Sequence, residues 1–392
     1  MSAPVRIVLK PKRDAAVRAG HPWIFSGAID RVTDPETPGA LGEVVSADGR
    51  VLGRGTWNPR TSIAVRMMSR GDAAVDAAFV EARLAAALRL RSLLRGSDAW
   101  RLVNGEGDGL PGVVVDRYAD FLVAQFLTAG ADRLKPWIVD ALTTLCEPRG
   151  IFERSDGSVR RAEGLAAAVG VLAGDEPPPV VAIEESGRRH HVDVRGGQKT
   201  GFFLDQRPNR DLIAALASGR QALNLFAYTG AFTIAALQGG ATHVTSVETS
   251  VAALAEAERS AGLNGYDAAR TTFVRADVPA YLRGEVAPVD LVIVDPPPFA
   301  RRRGDRDRAL AGYKDVNLGV FRHAAPEALV MTFSCSQHVD ADAFQHAVAA
   351  AAADAGRPCQ LLGRLGPGLD HPQALAHPEG RYLKGLLLRV TA

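Results

Sequence analysis

The spacing of apolar and polar positions changes about halfway along the chain. The last 200 residues hold five short apolar runs that alternate with helical patterns. The runs are 222–226, 244–248, 272–275, 291–295 and 329–333, and the helical patterns include 231–237, 251–263 and 340–355. Apolar strands that alternate with helices are typical of a parallel, doubly wound sheet. This half of the chain therefore predicts an α/β fold.

The first half predicts two smaller modules. Four short runs rich in β-formers, at 6–9, 42–46, 51–56 and 62–67, are separated by Gly, Pro and Asp, which favour turns. Apolar residues at three- and four-residue spacing then predict an amphipathic helix from residue 76 to about 95. A β-β-helix-β-β order follows, at 113–116, 121–126, 134–145, 151–154 and 180–184. These patterns place domain boundaries near residues 72 and 190.

The composition shows that the first module carries a local excess of positive charge. The 392 residues are 47% hydrophobic and 23% charged, which fits a soluble globular protein and excludes a disordered one. The net charge of the chain is only +2. Residues 1–70, however, hold 11 Lys and Arg against 6 Asp and Glu, a net charge of +5. This basic module either faces RNA or is a solvated surface, and charge alone favours neither.

The cysteines and the apolar runs indicate which cellular compartment the protein occupies. Cys146, Cys335 and Cys359 are too few and too scattered for a disulfide framework or a zinc cluster. A reducing compartment is therefore expected. No apolar run approaches the ~18 residues that a membrane span needs, and the N-terminus has no signal-peptide core. We expect a cytoplasmic protein with no membrane partner and no metal.

Polar residues stand at the carboxyl ends of the predicted parallel strands, where open sheets bind ligands. The first strand leads through Phe226 into the turn Tyr228-Thr229-Gly230, which lacks the G-x-G-x-x-G pattern of dinucleotide sites. NAD and FAD are disfavoured accordingly. Glu248 ends the second strand, where a carboxylate can accept hydrogen bonds from a ribose, and Asp277 ends the third. This order predicts a nucleoside-bearing cofactor without phosphates.

The fourth and fifth strands end in a proline loop and a thiol. The loop Asp295-Pro296-Pro297-Pro298-Phe299 is rigid because prolines fix φ, and it either grips a planar base or is a stiff exit from the strand. Cys335 ends the fifth strand beside this loop, where a nucleophile is useful. We interpret Cys146 and Cys359 as packing residues. His338 near Cys335 resembles half a metal site, but the second half is missing.

Nine segments, in order along the chain, carry a resemblance to a known family. They are 21–27, 103–112, 198–207, 224–232, 295–299, 312–317, 332–336, 371–372 and 378–385. They resemble the large-subunit ribosomal RNA cytosine methyltransferases of the RlmI type over nearly the whole chain. The resemblance implies a PUA RNA-binding domain at 1–72 and a linker helix with a central α+β domain at 73–190. It also implies a Rossmann-like class I methyltransferase domain, with a mostly parallel doubly wound sheet, at 191–392.

The same resemblance implies S-adenosyl-L-methionine as cofactor and large-subunit ribosomal RNA as partner. The turn of Tyr228, Thr229 and Gly230, next to Phe226, would hold the methionine part of the cofactor. Glu248 would bind its ribose and Asp277 its adenine amino group. Asp205 and Gln206 would line the entrance for cofactor and substrate. The residues assigned to substrate binding are Pro296, Pro297, Phe299, Lys199, Arg207 and Lys314.

Within that family, Cys335 acquires a chemical role. Carbon 5 of cytosine is a poor nucleophile until a thiolate adds at carbon 6, and Asp295 can hydrogen bond the N3/N4 edge of the base. A second Cys, which many RNA cytosine carbon-5 methyltransferases use to release product, is missing, as it is in the RlmI type. Pro298 replaces the usual Lys of the family. Arg301, Arg302 and Arg303 either compensate for that loss or form a solvated loop.

Two other functions stay open at this point. The Asp-Pro-Pro-Phe pattern also resembles the motif of methyltransferases that act on an exocyclic amine or a guanine nitrogen. The third hypothesis is a catalytically inactive RNA-binding assembly factor. The sequence leaves open the target nucleotide, the choice between naked RNA and an assembled subunit, and the base that removes the carbon-5 proton. It also leaves open the oligomeric state, a homodimer included.

Overall fold

The computed structural model describes residues 5–33, 36–300 and 302–391, with the side chain of Arg303 left aside. These residues fall into two compact units. One unit consists of Met1–Ile183, Val192–Leu204 and Leu369–Gly380, and the other of Glu184–His191, Asp205–Gly368 and Arg381–Ala392. In the part of the chain so described, no helix combines the length and the apolar character needed to cross a membrane.

The first unit begins with a six-stranded sheet. Its strands are β1 (Val5–Leu9), β2 (Trp23–Phe25), β3 (Ile29–Val32), β4 (Ala40–Val45), β5 (Val51–Trp57) and β6 (Ile63–Arg70), with a short helix α1 (Ala15–Arg18). They lie in the order β2-β6-β5-β4-β1-β3, and only β1 and β4 are parallel. The four predicted strands are confirmed. The short strands β2 and β3 were not predicted.

A second sheet in this unit carries two packed helices. Its elements are α2 (Ala77–Arg91), β7 (Ala99–Asn104), β8 (Val113–Tyr118), β9 (Phe121–Phe126), α3 (Ala129–Cys146), β10 (Gly150–Ser155), α4 (Ser158–Ala162) and β11 (Ala168–Gly174). The strand order is β11-β10-β9-β8-β7. Asp76 and Thr128 cap α2 and α3 by accepting hydrogen bonds from Phe79 N and Ala131 N. Buried Leu84 then packs in one core with Leu134 and Ile138 of α3.

The predicted order of this middle region was wrong in two places. Strands β7 and β11 were missed, because Trp100, Arg101 and the glycines of 168–174 weaken their apolar pattern. The predicted strand at 180–184 exists as β12 (Val181–Glu185), but it pairs with β13 (Arg188–Val192) in a separate two-stranded sheet.

The second unit is built on a seven-stranded sheet. Its elements are α5 (Arg207–Leu216), β14 (Gln221–Leu225), α6 (Ala231–Gln238), β15 (His243–Glu248), α7 (Val251–Leu263), β16 (Thr271–Arg275), α8 (Val278–Leu282), β17 (Val289–Val294), α9 (Arg306–His323), β18 (Ala324–Ser334), α10 (Ala341–Asp354), β19 (Cys359–Leu365) and β20 (Lys384–Val390). The strand order is β16-β15-β14-β17-β18-β20-β19. The first five strands are parallel, which confirms the doubly wound α/β fold.

The strand order fixes where a ligand can bind. It runs outwards from β14 towards β16 on one side and from β17 on the other, so the carboxyl ends of β14 and β17 flank the switch point where ligands bind in such sheets. Strand β20 is antiparallel to β18 and places its first residue, Lys384, opposite Ser334 at the end of β18. The amino end of β20 thus joins the ligand-binding edge of the sheet.

One buried carboxylate anchors the start of α5 within this unit. Glu185 and Arg210 are each 1% exposed, and Arg210 donates two hydrogen bonds of 2.6 Å to the carboxylate of Glu185. Arg188 donates a third at 3.2 Å, and the Nε of Arg207 lies 3.6 Å away. Burial opposes ionisation of Glu185, but attraction and hydrogen bonding from Arg210 outweigh it and lower its pKa to about 2.

Replacing Arg210 with Met should destabilise the second unit strongly. Glu185 would lose its two shortest hydrogen bonds, and breaking a buried ion pair typically costs about 3–5 kcal/mol in the free energy of unfolding. Urea titration at pH 7 measures this loss. The matched control is Arg364→Met, whose partner Asp342 is 77% exposed, and we expect a loss of at most about 1 kcal/mol there.

The loss of unfolding free energy in Arg210→Met also depends on pH. Because folding lowers the pKa of Glu185 from about 4.5 to about 2, its charge stabilises the fold above the higher value and ceases to do so as the pH falls towards 2. The difference in unfolding free energy between Arg210→Met and Arg364→Met should therefore become smaller below pH 4. Equal losses for both variants at pH 7 would contradict this account.

Candidate functional site

The turn after β14 has an unusual backbone. Phe226 and Tyr228 have φ angles of 58° and 47°, although neither is a glycine. Gly230 has a φ of 76°, and a Cβ placed on it would lie 2.9 Å from the Cβ of Ala257. Non-glycine residues in the left-handed region are uncommon and cluster at ligand sites. The turn of 226–230 is therefore the first part of the candidate site, and only glycine fits at 230.

Glu248 ties this turn to the end of the next strand. Its Oε2 accepts a hydrogen bond from Tyr228 N at 3.0 Å. Its Oε1 accepts bonds from Thr249 N, Thr249 Oγ1 and Ser250 N at 2.8, 3.0 and 3.0 Å. The half-buried carboxylate thus fixes both loops at this edge of the sheet. It lies where the sequence predicts a ribose-binding acid.

Asp277 occupies the corresponding position after β16. Its Oδ1 accepts a hydrogen bond from Ala280 N at 3.0 Å and so caps α8. Its side chain is exposed at the sheet edge, and an ionised carboxylate has acceptor positions for several partners. Two carboxylates beside a strained turn fit a ligand that offers hydroxyl and amino hydrogens. The residues present therefore fit the nucleoside-bearing cofactor expected from the sequence.

The proline loop after β17 is held against the end of β18. The Sγ of Cys335 lies 3.7 Å from the carbonyl oxygen of Pro296 and donates to it. At the far end of the loop, Ala300 N donates to Ser336 Oγ at 3.1 Å. The structure therefore brings Cys335 and the Asp295 loop together. Pro296 is buried, whereas Pro297 and Pro298 are exposed.

Aromatic rings connect this loop to the cofactor turn. The Phe299 ring packs on Tyr313 at a centroid distance of 4.7 Å and meets the edge of Phe226 at 6.4 Å. Tyr313 in turn shares a hydrogen bond of 2.8 Å with Ser336 Oγ. Phe299 is thus both a loop residue and a packing partner of the turn.

The segment before α5 is buried. The Oδ2 of Asp205 accepts a hydrogen bond from Tyr382 OH at 2.6 Å, and Oε1 of Gln206 accepts one from Asn209 at 2.5 Å. Arg207 is directed to Glu185, as described above. The assignment of Asp205, Gln206 and Arg207 to ligand binding remains a prediction.

The structure gives both lysines assigned to the substrate a partner within the protein. Lys199 belongs to the first unit, is exposed, and holds its ammonium 4.3 Å above the Phe203 ring. Lys314 lies on α9 and forms an ion pair of 2.7 Å with Asp354 of α10. Of the arginines after the loop, Arg301 lies outside the described residues. Roles for these side chains in substrate binding stay predictions.

Sequence reasoning gave no role to three residues that the structure brings to this edge. Tyr313 and Ser336 form the hydrogen bond described above. Lys384 is buried and donates from Nζ to the carbonyl oxygens of Ser336 and Tyr382, at 2.6 and 3.0 Å. The signal for Lys384 was a lysine two residues before the apolar run Leu386-Leu387-Leu388, where a charge is costly unless it has partners.

Two family models match the chain. A model of S-adenosylmethionine-dependent methyltransferases matches residues 161–307, and a model of PUA-like domains matches residues 7–70. In the ranges with described coordinates, no group of three or more His, Cys, Asp and Glu is arranged to hold a metal ion.

Curated relatives match along nearly the full chain. Proteins named ribosomal RNA large subunit methyltransferase I from Erwinia tasmaniensis and Aeromonas salmonicida are 41% and 43% identical to it. Each alignment covers 98% of this chain and 99% of the relative.

Solved structures share the fold. A structure described as a SAM-dependent methyltransferase from Streptococcus mutans matches with a TM-score of 0.84 and 21% identity, over 98% of this chain and all of that one. Another, described as a methyltransferase complexed with SAH, has a TM-score of 0.85 and 22% identity with the same coverage.

Replacing Glu248 with Gln should weaken binding of S-adenosylmethionine. The amide keeps the size of the side chain but loses one acceptor oxygen, so the turn and the ligand lose hydrogen bonds to a charged group worth about 1.5–3 kcal/mol each. We expect an increase in Kd of about tenfold or more, measured by calorimetric titration. Glu258→Gln, on the exposed side of α7, is the matched control. An unchanged Kd in the Glu248 variant would contradict this role.

Proposed function

Because the chain belongs to the family of ribosomal RNA large subunit methyltransferases I, we propose that it methylates carbon 5 of a cytosine in large-subunit ribosomal RNA. S-adenosylmethionine is its cofactor. Cys335 is the proposed nucleophile, and Asp295 is proposed to bind the base.

The observation that carries the proposal is the contact of the Cys335 thiol with the proline loop. The Sγ lies 3.7 Å from Pro296 O, so thiol and loop line the same edge of the sheet. A base bound against the loop at Asp295 and Phe299 would lie next to a nucleophile. Methylation of an exocyclic amine or a ring nitrogen needs no thiol there, so the contact favours carbon 5.

The chemistry follows from electron demand in the cytosine ring. The Cys335 thiolate adds to carbon 6, and the electron pair of the 5,6 double bond moves towards carbon 5 and the N3/C4 edge. Asp295 stabilises that edge through hydrogen bonds. After carbon 5 has gained its methyl group, a base removes the carbon-5 proton. The bond between sulfur and carbon 6 then breaks and returns the thiolate.

The cofactor would supply an electrophilic methyl group and would leave as the neutral thioether once its sulfur–methyl bond has broken. The turn of 226–230, Glu248 and Asp277 would hold it at the carboxyl ends of β14, β15 and β16. Glu248 keeps the turn in its strained conformation through Tyr228 N, so the binding surface is formed before the ligand arrives.

The first sheet of the chain supports an RNA substrate. The PUA-like match covers residues 7–70, where the net charge is positive. We propose that this sheet, within the predicted domain 1–72, binds the RNA backbone through its basic residues. The predicted boundaries of the domains 73–190 and 191–392 belong to the same proposal.

Replacing Cys335 with Ala should abolish methylation. Removing a catalytic nucleophile can lower kcat by on the order of 10⁶-fold. The measurement is transfer of labelled methyl groups to ribosomal RNA lacking the modification, with mass spectrometry of the product nucleosides. Cys359→Ala, a thiol of the same unit on β19, is the matched control and should retain activity.

Three results would count against the proposal. Full activity of the Cys335 variant would rule out the covalent mechanism. A product methylated on the exocyclic amine or on guanine would establish the alternative chemistry. Failure of the intact protein to bind S-adenosylmethionine or methylate RNA would favour an assembly factor.

A further inference from the structure

Lys384 lies beside the proposed nucleophile. It opens β20 and pairs in register with Ser334, the residue that precedes Cys335. Its Nζ donates to the carbonyl oxygen of Ser336, the residue that follows Cys335, at 2.6 Å. A second bond of 3.0 Å goes to the carbonyl oxygen of Tyr382. The ammonium is therefore fixed against the carbonyl group of the residue after the thiol, while the backbone of Lys384 pairs with the residue before it.

A lysine in this position needs a physical reason. Its residue is 9% exposed, and burial of an ammonium is costly unless partners compensate. Two of its three hydrogens are taken by the two carbonyl groups, which leaves one for a further acceptor. The cysteine side chain is the first group that attracts the ammonium charge, and Asp340 is the second.

We propose that Lys384 is a positioning residue whose ammonium stabilises the Cys335 thiolate. The inference deepens the proposed function, because it takes Cys335 to be the nucleophile. A free thiol has a pKa of about 8.5 and is only a few per cent ionised at neutral pH. A neighbouring cation lowers that pKa and raises the fraction of reactive thiolate.

The proton balance is simple. Below its own pKa, Lys384 carries the positive charge, and the proton lost by Cys335 goes to solvent. Burial lowers the pKa of Lys384 to about 8, while attraction to Cys335 and Asp340 opposes that shift. Lys384 is therefore still mostly protonated at pH 7, where the thiolate needs it.

The other ionisable groups at this position do not replace Lys384. Tyr313 on α9 bonds to Ser336, and burial together with the charge of Cys335 raises its pKa, so it remains a neutral phenol. Asp340, which caps α10, has a lowered pKa because Ala343 N donates to it, so it stays negative. A negative charge disfavours a thiolate. Arg306 is a second cation nearby, but it pairs with Asp340 at 3.3 Å, whereas Lys384 bonds directly to the residue after the thiol.

The test is the pH dependence of alkylation of Cys335 by iodoacetamide in the intact protein, without RNA or cofactor. Mass spectrometry of peptides reads the rate at each cysteine, so Cys146 and Cys359 are internal references. In the natural protein, Cys335 should alkylate with an apparent pKa below 8.5. Lys384→Met should raise that pKa by about one unit, which lowers the rate at pH 7 about tenfold. Above pH 9.5 the rates should converge.

Lys384→Arg is the conservative variant. It keeps the charge, and its alkylation profile should stay within about threefold of that of the natural protein at pH 7. The profiles of Cys146 and Cys359 should be the same in all three proteins.

Three outcomes would overturn the proposal. The first is an apparent pKa of Cys335 at or above 8.5 in the natural protein, a measurement that needs no variant to fold. The second is an unchanged profile in Lys384→Met. The third is a rate reduced by the same factor at every pH, which indicates altered access to the thiol. The alkylation assay does not involve methyl transfer. Full methylation activity of the Cys335→Ala variant would therefore contradict the proposed function separately from these outcomes.

Discussion

The buried polar atoms of Ser336 hold the carboxyl end of β18 in one arrangement. This residue is 0% exposed, so its hydroxyl and carbonyl groups can be satisfied only by protein. The hydroxyl bonds to Ala300 of the proline loop and to Tyr313 of α9, and the carbonyl accepts from Lys384 of β20. Four parts of the second unit thus meet at one residue. Cys335 is the neighbour whose position they determine together.

The two halves of the site are stiffened by different means. The half around Glu248 relies on a carboxylate that gathers backbone N–H groups from two loops. The half around Cys335 relies on prolines, which restrict φ, and on aromatic packing between Phe299 and Tyr313. Both devices fix the proposed reacting groups in place, which reduces the entropic cost of reaching a reactive geometry.

The parallel part of the sheet could be predicted because each strand holds several β-branched or apolar residues and each is followed by a helix. The carboxyl ends of those strands then placed Glu248, Asp277, Asp295 and Cys335 at one edge. Strands β19 and β20 escaped prediction because no α-helix separates them and they run antiparallel. The bond from Lys384 to Ser336 spans 48 residues of sequence, and no local pattern signals a contact of that kind.

The choice of Lys at position 384 also carries information. Only six of the 46 basic residues of this chain are lysines, and the others are arginines. An arginine stays charged at every physiological pH, whereas a buried lysine can change its charge near neutrality. The buried Arg188 and Arg210 serve a permanent ion pair with Glu185. Lys384, the basic residue beside the thiol, is instead one whose charge can change near neutral pH.

The threading of the chain between its two units has a consequence for how such a protein can evolve. Each unit is assembled from three separate stretches of sequence, and residues 369–380 of the first unit interrupt the second between β19 and β20. No single cut in the gene separates the units. Exchange of one unit for a homologous one by recombination would need five coordinated junctions. Divergence by point substitution within an inherited whole is the accessible route, which fits relatives that align from end to end.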